Sequence, residues 1–166
     1  PGIRFCPKNK GRDGCRTPMT WDHQKINAGF SSNTPWLPVK EKQINRSVSL
    51  QENEPNSILN FYKKFILFRK SDPALLSGKH IFLNEHEDLL VFSREIQDIK
   101  TLCVFNLSEN AYLIDKGDLS LDSHISSNIK IKNDQIELNG YGFIIISDIQ
   151  NDIKDLDKIL EFKKIL

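Results

Sequence analysis

Hydrophobic and polar positions divide the chain into four stretches. Residues 1 to about 53 show little regular periodicity and read as extended loop. From Pro55 onward, Ile58, Phe61, Tyr62, Phe65 and Ile66 follow the i, i+3, i+4, i+7 rule of an amphipathic helix, and Leu59 and Phe68 widen its apolar face. Pro55 suits the first helical position, with Asn53 or Glu54 as polar cap. Lys63, Lys64, Arg69 and Lys70 place positive charge where the macrodipole favours it, and Asp72-Pro73 ends the helix. From Gly78 short runs rich in Ile, Leu, Val and Phe predict strands over 79–83, 88–94, 100–107, 128–132, 135–138 and 142–147. Turn signals separate them, and a spacing of roughly ten residues predicts an antiparallel sandwich. Phe143-Ile144-Ile145-Ile146 is apolar on both faces and belongs to a central strand. Beyond Asp148, the spacing of Ile149, Ile153, Leu156 and Leu160, with acids alternating with lysines, predicts an amphipathic docking helix over 148–166.

These stretches make an α+β chain with segments 1–77, 78–147 and 148–166. The apolar face of the 55–70 helix is too wide for a modest β domain to cover. A loop of some fifty residues without elements of its own is unusual in a self-sufficient domain. Both features are expected of a piece of a larger body, and a start at Pro1 inside a loop fits that expectation.

The densest chemistry lies in the first stretch. Gly11-Arg12-Asp13-Gly14-Cys15-Arg16-Thr17-Pro18-Met19-Thr20-Trp21 mixes charges, glycines, proline and tryptophan in a way no helix or strand accommodates. Asn27-Ala28-Gly29-Phe30-Ser31 and Pro35-Trp36-Leu37-Pro38-Val39 follow it. Ordered loops of this kind build binding sites on rigid scaffolds. The order of residues resembles the segment after the eighth barrel strand in α-glucosidases of the α-amylase superfamily, whose pattern runs G-R-D-x-x-R-T-P-M-x-W, N-A-G-F-S and P-W-L-P-V. The likeness continues through Pro55-Asn56-Ser57-Ile58-Leu59-Asn60-Phe61-Tyr62 to Pro73-Ala74-Leu75, and as a similarity of layout to about residue 147. It implies the last loop and helix of a (β/α)8 barrel over 1–77, a C-terminal antiparallel β-sandwich over 78–147 and a helical tail without counterpart. Two positions depart from the pattern. Cys6-Pro7 stands where the family has Trp-Pro, and Thr20 where many relatives have Gln or Pro.

The resemblance implies retaining chemistry on a terminal α-linked glucose. That chemistry needs two carboxylates about 5 Å apart, and in the family they lie on earlier strands, upstream of Pro1. No catalytic residue is therefore assigned here. Glu85, Glu87 and Asp88 cluster in a solvated turn, and Asp13 is held ionised by Arg12 and Arg16. An arginine fork suits both a carboxylate and sugar hydroxyls. From the resemblance, Arg16 reaches the floor of the glucose subsite, with Arg12 as second candidate. The alternative is an Arg-Asp-Arg network that only braces the loop. Asp13, Trp21 and Trp36 are read as loop-supporting, the tryptophans by packing, and Cys15 likewise as a packed side chain. Expected partners are an α-glucoside oligosaccharide or disaccharide and the remaining barrel part of the same protein.

Bulk properties trim the alternatives. The 23 basic and 22 acidic side chains nearly cancel, which removes the electrostatic case for a nucleic-acid partner. No apolar run reaches the roughly 18 residues a membrane span requires. Three cysteines point to reduced thiols in a cytoplasmic compartment. His23, His80, His86 and His124 have no metal-site spacing, and no glycine-rich phosphate loop is present, so neither metal nor cofactor is expected. The rival readings are a stand-alone carbohydrate-binding module and a structural piece that docks onto a separate catalytic chain.

Overall fold

The computed structural model describes residues 13–115, 119–147 and 162–165. It divides into two compact units, 1–64 and 65–166, with the boundary inside the long helix.

The first unit has more helix than its periodicity predicts. Two short helices, α1 (Glu41–Ile44) and α2 (Val48–Asn53), precede the long helix α3 (Ile58–Ser71). Each is too short to show a repeat, and polar contacts to the chain around it hold each one. The Gln43 carboxamide oxygen accepts from the Lys40 amide (3.0 Å) at the start of α1. The amides of Val48 and Ser49, at the N-terminus of α2, donate to the carbonyls of Thr20 (3.0 Å) and Trp21 (2.9 Å). At the other end, the Asn60 side-chain amide donates to the carbonyls of Gln51, Glu52 and Glu54, which satisfies orphan acceptors of the last turn. Ser57, and not Asn53 or Glu54, caps α3. Its hydroxyl accepts from the Asn60 amide (3.2 Å) and its carbonyl from that of Phe61 (2.9 Å). Pro55 lies in the preceding turn, because a serine two residues later offers the better cap. No residue of α3 is buried, and Ile58, Tyr62 and Ile66 are all exposed on one face.

The second unit is a curled antiparallel sheet. Its strands are β1 (Lys79–Glu85), β2 (Leu89–Ile96), β3 (Ile99–Asn106), β4 (Ala111–Asp115), β5 (His124–Lys132), β6 (Gln135–Ile146) and β7 (Phe162–Ile165). The hydrogen-bonded order is β1-β2-β3-β6-β4-β7, with β5 on β6. The expected strands 135–138 and 142–147 are one twelve-residue strand, β6. Its N-terminal half pairs with β4 and its C-terminal half with β3, while β5 runs along its other side. The ladder is thus never broken, and a single sheet curls over its own core where two facing layers were expected. Leu89, Val91, Leu102, Val104, Tyr112, Ile114, Ile136, Leu138, Ile144 and Ile146 fill the inside. As expected, the 143–146 run is central. The predicted tail helix needs correction where the chain is described: Phe162–Ile165 is a strand paired with β4, and the rest of 148–161 lies outside the described residues. An edge strand supplies a full row of unmet backbone partners, which outweighs helical spacing in a short segment.

Strand β3 is buried on both faces because helix α4 (Pro73–Ser77) lies against it and β2. Asp72 fixes that helix. The carboxylate caps it by accepting from the Leu75 amide (3.0 Å), and its other oxygen accepts from the hydroxyls of Thr101 (2.6 Å) and Ser147. Three donors compensate a charge that is 4% exposed. Burial, reinforced by the charge of Asp72, pushes the neighbouring Cys103 thiol up to about 12, so it stays protonated and inert.

A register shift between Ser127 and Ile129 re-aims the β5–β6 hairpin. Asn128 (φ 55) and Tyr141 (φ 58) both adopt the left-handed region. For a bulky residue such as Tyr141 this costs roughly 1–3 kcal/mol. Gly142 beside it is obligatory, since a Cβ there would stand 2.6 Å from the Asn128 carbonyl oxygen.

A polar corner closes the turn between β3 and β4. Tyr112 and Asn110 both donate to the Asp88 carboxylate, which holds it below its ordinary value of 3.8. Asn106, 3% exposed, donates to the carbonyls of Asn110 and Asn139, so its side chain is committed within the fold.

Two predictions follow from these contacts. Asp72→Ala strips the helix cap and orphans two hydroxyls, and should cost roughly 2–4 kcal/mol in urea unfolding at pH 7. A loss under about 0.5 kcal/mol would deny Asp72 its anchoring role. For Asp88, a depressed native value means that its bonds favour folding above 3.8 and that this favour fades as pH falls through the lower native value. Asp88→Asn should therefore be less stable than the parent at pH 7, with the gap closing below pH ~4. A gap that is constant with pH contradicts the assignment.

Candidate functional site

The first unit's loop is held by its main chain. A 3-10 turn at Asp13–Cys15 is closed by the Arg16 amide donating to the Asp13 carbonyl (3.2 Å). Pro18 and Thr20 are buried, and the Thr20 hydroxyl donates to the Gln43 carbonyl (3.0 Å). Beyond Trp21 the chain turns sharply at Ile26–Gly29, where Asn27 (φ 50), Ala28 (φ 52) and Gly29 (φ 72) are all left-handed. The Ala28 carbonyl accepts from the amides of Trp21 (2.8 Å) and Asp22 (3.0 Å). The Asn27 side-chain amide donates to the carbonyls of Ser31 and Asn33, both at 2.9 Å. Asparagine tolerates this backbone region well, and at Ala28, 2% exposed, a larger side chain would not fit.

With its backbone pinned, the loop leaves several side chains exposed, Arg16 among them. Asp13, in the same turn, is buried at 6% exposure. Arg12 lies outside the described residues. The packing expected of the tryptophans is not found: Trp21 is 52% and Trp36 72% exposed, and Phe30 and Met19 are exposed too. Hydrogen bonds fix this loop, so its folding does not require the rings to pack. Cys15 is also exposed, where packing was expected.

An open concavity of about 390 Å³ is lined by Thr17, Pro18, Thr20, Gln43, Arg46 and Gln51, with Met19 at its wall. Several of its polar groups bond within the fold. Gln51 donates to the Arg46 carbonyl (2.8 Å) and accepts from the Leu59 amide (3.1 Å), and the Arg46 Nε donates to the Lys42 carbonyl (3.0 Å). The concavity therefore braces the loop against the short helices and offers no reactive group. Sequence reading missed Gln51, Asn60 and Asn27 as its supports. Only Asn27 carried a signal, an asparagine directly before Ala-Gly in a loop.

The histidines are dispersed. His23 bonds Ser49 (3.0 Å), His80 stacks on Phe82 and Phe92, His86 accepts from the Asp88 amide (3.1 Å), and the Nδ1–H of His124 donates to the Leu121 carbonyl (2.7 Å). Among the described residues no group of three or more His, Cys, Asp or Glu could hold a metal ion, and no helix is long and apolar enough to cross a membrane.

Asn27→Ala should release the loop. The amides of Trp21 and Asp22 should exchange with solvent about ten- to hundredfold faster, as loss of two hydrogen bonds and of left-handed tolerance implies. Unchanged exchange would place the loop's anchor elsewhere.

Residues 2–78 match the alpha-amylase catalytic domain. A probable alpha-glucosidase of Rhizobium meliloti is 47% identical over 110 residues, 66% of this chain and 20% of that protein. The oligo-1,6-glucosidase of Heyndrickxia coagulans is 38% identical over 112 residues, 67% of this chain and 20% of its own length. The chain thus spans about a fifth of the curated relatives it matches. Among solved structures, an alpha-glucosyl transfer enzyme superposes with a TM-score of 0.69 at 32% identity, over 89% of this chain and 28% of that one. The isomaltulose synthase of Erwinia rhapontici, solved as a mutant with its natural substrate sucrose, gives 0.67 at 32% identity, over 84% and 27%.

Proposed function

Because residues 2–78 match the alpha-amylase catalytic domain, we propose that this chain is the closing part of a retaining α-glucosidase. Residues 1–77 supply the last loop and helix of its catalytic barrel, 78–147 a C-terminal domain built on the curled β-sheet, and the tail a strand for that sheet's edge. The whole protein would act on a terminal α-linked glucose of a short oligosaccharide or sucrose-like disaccharide. The nucleophile and the acid/base would stand on the earlier part of the barrel.

One observation carries this reading. The 13–39 loop is fixed by its own hydrogen bonds, yet it turns Arg16, Trp21 and Trp36 outward. A loop that rigid does not need these side chains for its own stability. An exposed arginine on a fixed backbone can donate a preoriented fork to a sugar hydroxyl or to a carboxylate beside it. Loops at the C-terminal ends of barrel strands surround the active site in this architecture, which is where such a group would act. The exposed Ile58, Tyr62 and Ile66 of α3 suit the outside of the same barrel, packed against its sheet and a neighbouring helix. A soluble binding module would leave that face wet.

The test is kinetic and uses the longer gene product, whose mass should exceed this chain by on the order of 200 residues. Arg16→Ala should lower kcat/KM for isomaltose or sucrose by the equivalent of about 2–4 kcal/mol, with Arg16→Lys intermediate. Near-normal kinetics would leave Arg16 as a brace of the loop. A product no larger than this chain, inactive on both sugars, would sink the α-glucosidase reading.

A further inference from the structure

Tyr141 is held in a strained conformation that the packing of its ring does not explain. Its φ of 58 is one that glycine or asparagine adopts more readily, and the ring is 66% exposed. The glycines on either side are required by space: a Cβ at Gly140 would stand 2.6 Å from the Glu109 carbonyl oxygen, and one at Gly142 2.6 Å from that of Asn128. At Tyr141 the backbone favours a glycine too, yet a large aromatic residue stands there. Bulges re-aim side chains, and strain of this kind marks positions held for a task.

The surroundings of the bulge are rigid. The Tyr141 amide donates to the Ser108 carbonyl (2.9 Å), and the Asn128 side chain donates to the Gly140 carbonyl (2.7 Å). Asn106 ties the two turns together through the carbonyls of Asn110 and Asn139. Leu107, 62% exposed, stands on the same pair of turns, with Glu109 and Asn139 beside these two apolar groups in sequence.

We infer that Tyr141 and Leu107, with Glu109 and Asn139 around them, form a surface platform that binds an α-linked gluco-oligosaccharide. An amphipathic ring offers its face to the C–H surface of a pyranose, while carboxylate and amide groups orient hydroxyls. The ligand class rests on the α-glucosidase reading; the platform itself rests on the strain and exposure of Tyr141. Such a platform keeps substrate close to an enzyme without taking part in its chemistry.

Titration of the longer gene product, isotope-labelled and with its active site blocked by a covalent inhibitor, with isomaltotriose, followed by amide NMR, tests this. Shifts are expected at 107–110 and 139–142, and cellotriose should produce none. Tyr141→Gly should weaken binding at least tenfold while Tyr141→Phe keeps most of it. The glycine variant relieves the strained backbone, so amide shifts elsewhere and the Tm should not fall. Shifts confined to 13–51 would overturn the platform and leave the α-glucoside reading standing. No response at 107–142, or equal affinity in Tyr141→Gly, overturns it as well. So does self-association that disappears in Tyr141→Gly without any sugar response, which would mark a protein contact. The Arg16 kinetics judge the enzyme reading separately.

Discussion

A buried carboxylate accepting three hydrogen bonds holds the β unit together. Asp72 caps α4, grips Thr101 at the start of β3 and grips Ser147 just past β6. The outer face of β3 is covered by the short helix only while it stays in place, and five residues of helix do not persist by propensity. The same contact makes β3 the most buried strand, since the helix seals one face and the curled core fills the other. An aspartate suits this position because it can cap a helix and still present a second oxygen to two hydroxyls. Burying it would be costly if even one of those donors were missing.

The loop unit solves a different problem with the same means. It has few apolar residues inside, so its order comes from main-chain bonds: Ala28 with Trp21 and Asp22, Thr20 and Trp21 with the N-terminus of α2. Strain at Asn27 and Ala28 is offset by those bonds. The consequence is a loop whose side chains are largely free to serve another surface. Exposed Trp21, Trp36 and Arg16 are the product of that division, and so is the bare face of α3.

How much of this the sequence discloses follows from the range of each signal. The apolar periodicity of α3 and the double-sided run 143–146 were legible because both repeat over enough residues to stand out. The helices α1 and α2 were not, being shorter than two turns and stabilised by polar partners distant in sequence, such as Asn60 and Thr20. Strand β4, Ala111-Tyr112-Leu113-Ile114-Asp115, alternates cleanly but was hidden by its shortness. The pairing of Phe162–Ile165 with it was invisible, since no local pattern announces a partner fifty residues away. Asp72-Pro73 read only as a helix stop, and its second role required knowing that Thr101 and Ser147 converge on it. For the site, the structure places Asp13 and Arg16 in one turn, and the exposure of the tryptophans depends on how the loop is held.

The described acids also define what this chain can contribute to a glycosidase. Asp72 is committed to three donors, Asp88 to Tyr112 and Asn110, and Glu137 to Lys130 at 2.9 Å, while Asp13 is buried in its turn. Where a shift is resolved for a carboxylate among them, as for Asp88 and Glu137, hydrogen bonding holds it below its ordinary value. A general acid needs the opposite, a carboxyl raised toward neutral pH by burial without donors. Asp72, Asp88, Glu137 and Asp13 are thus engaged within the fold. In the proposed enzyme, proton transfer and nucleophilic attack would come from the earlier barrel, and this chain would position the sugar.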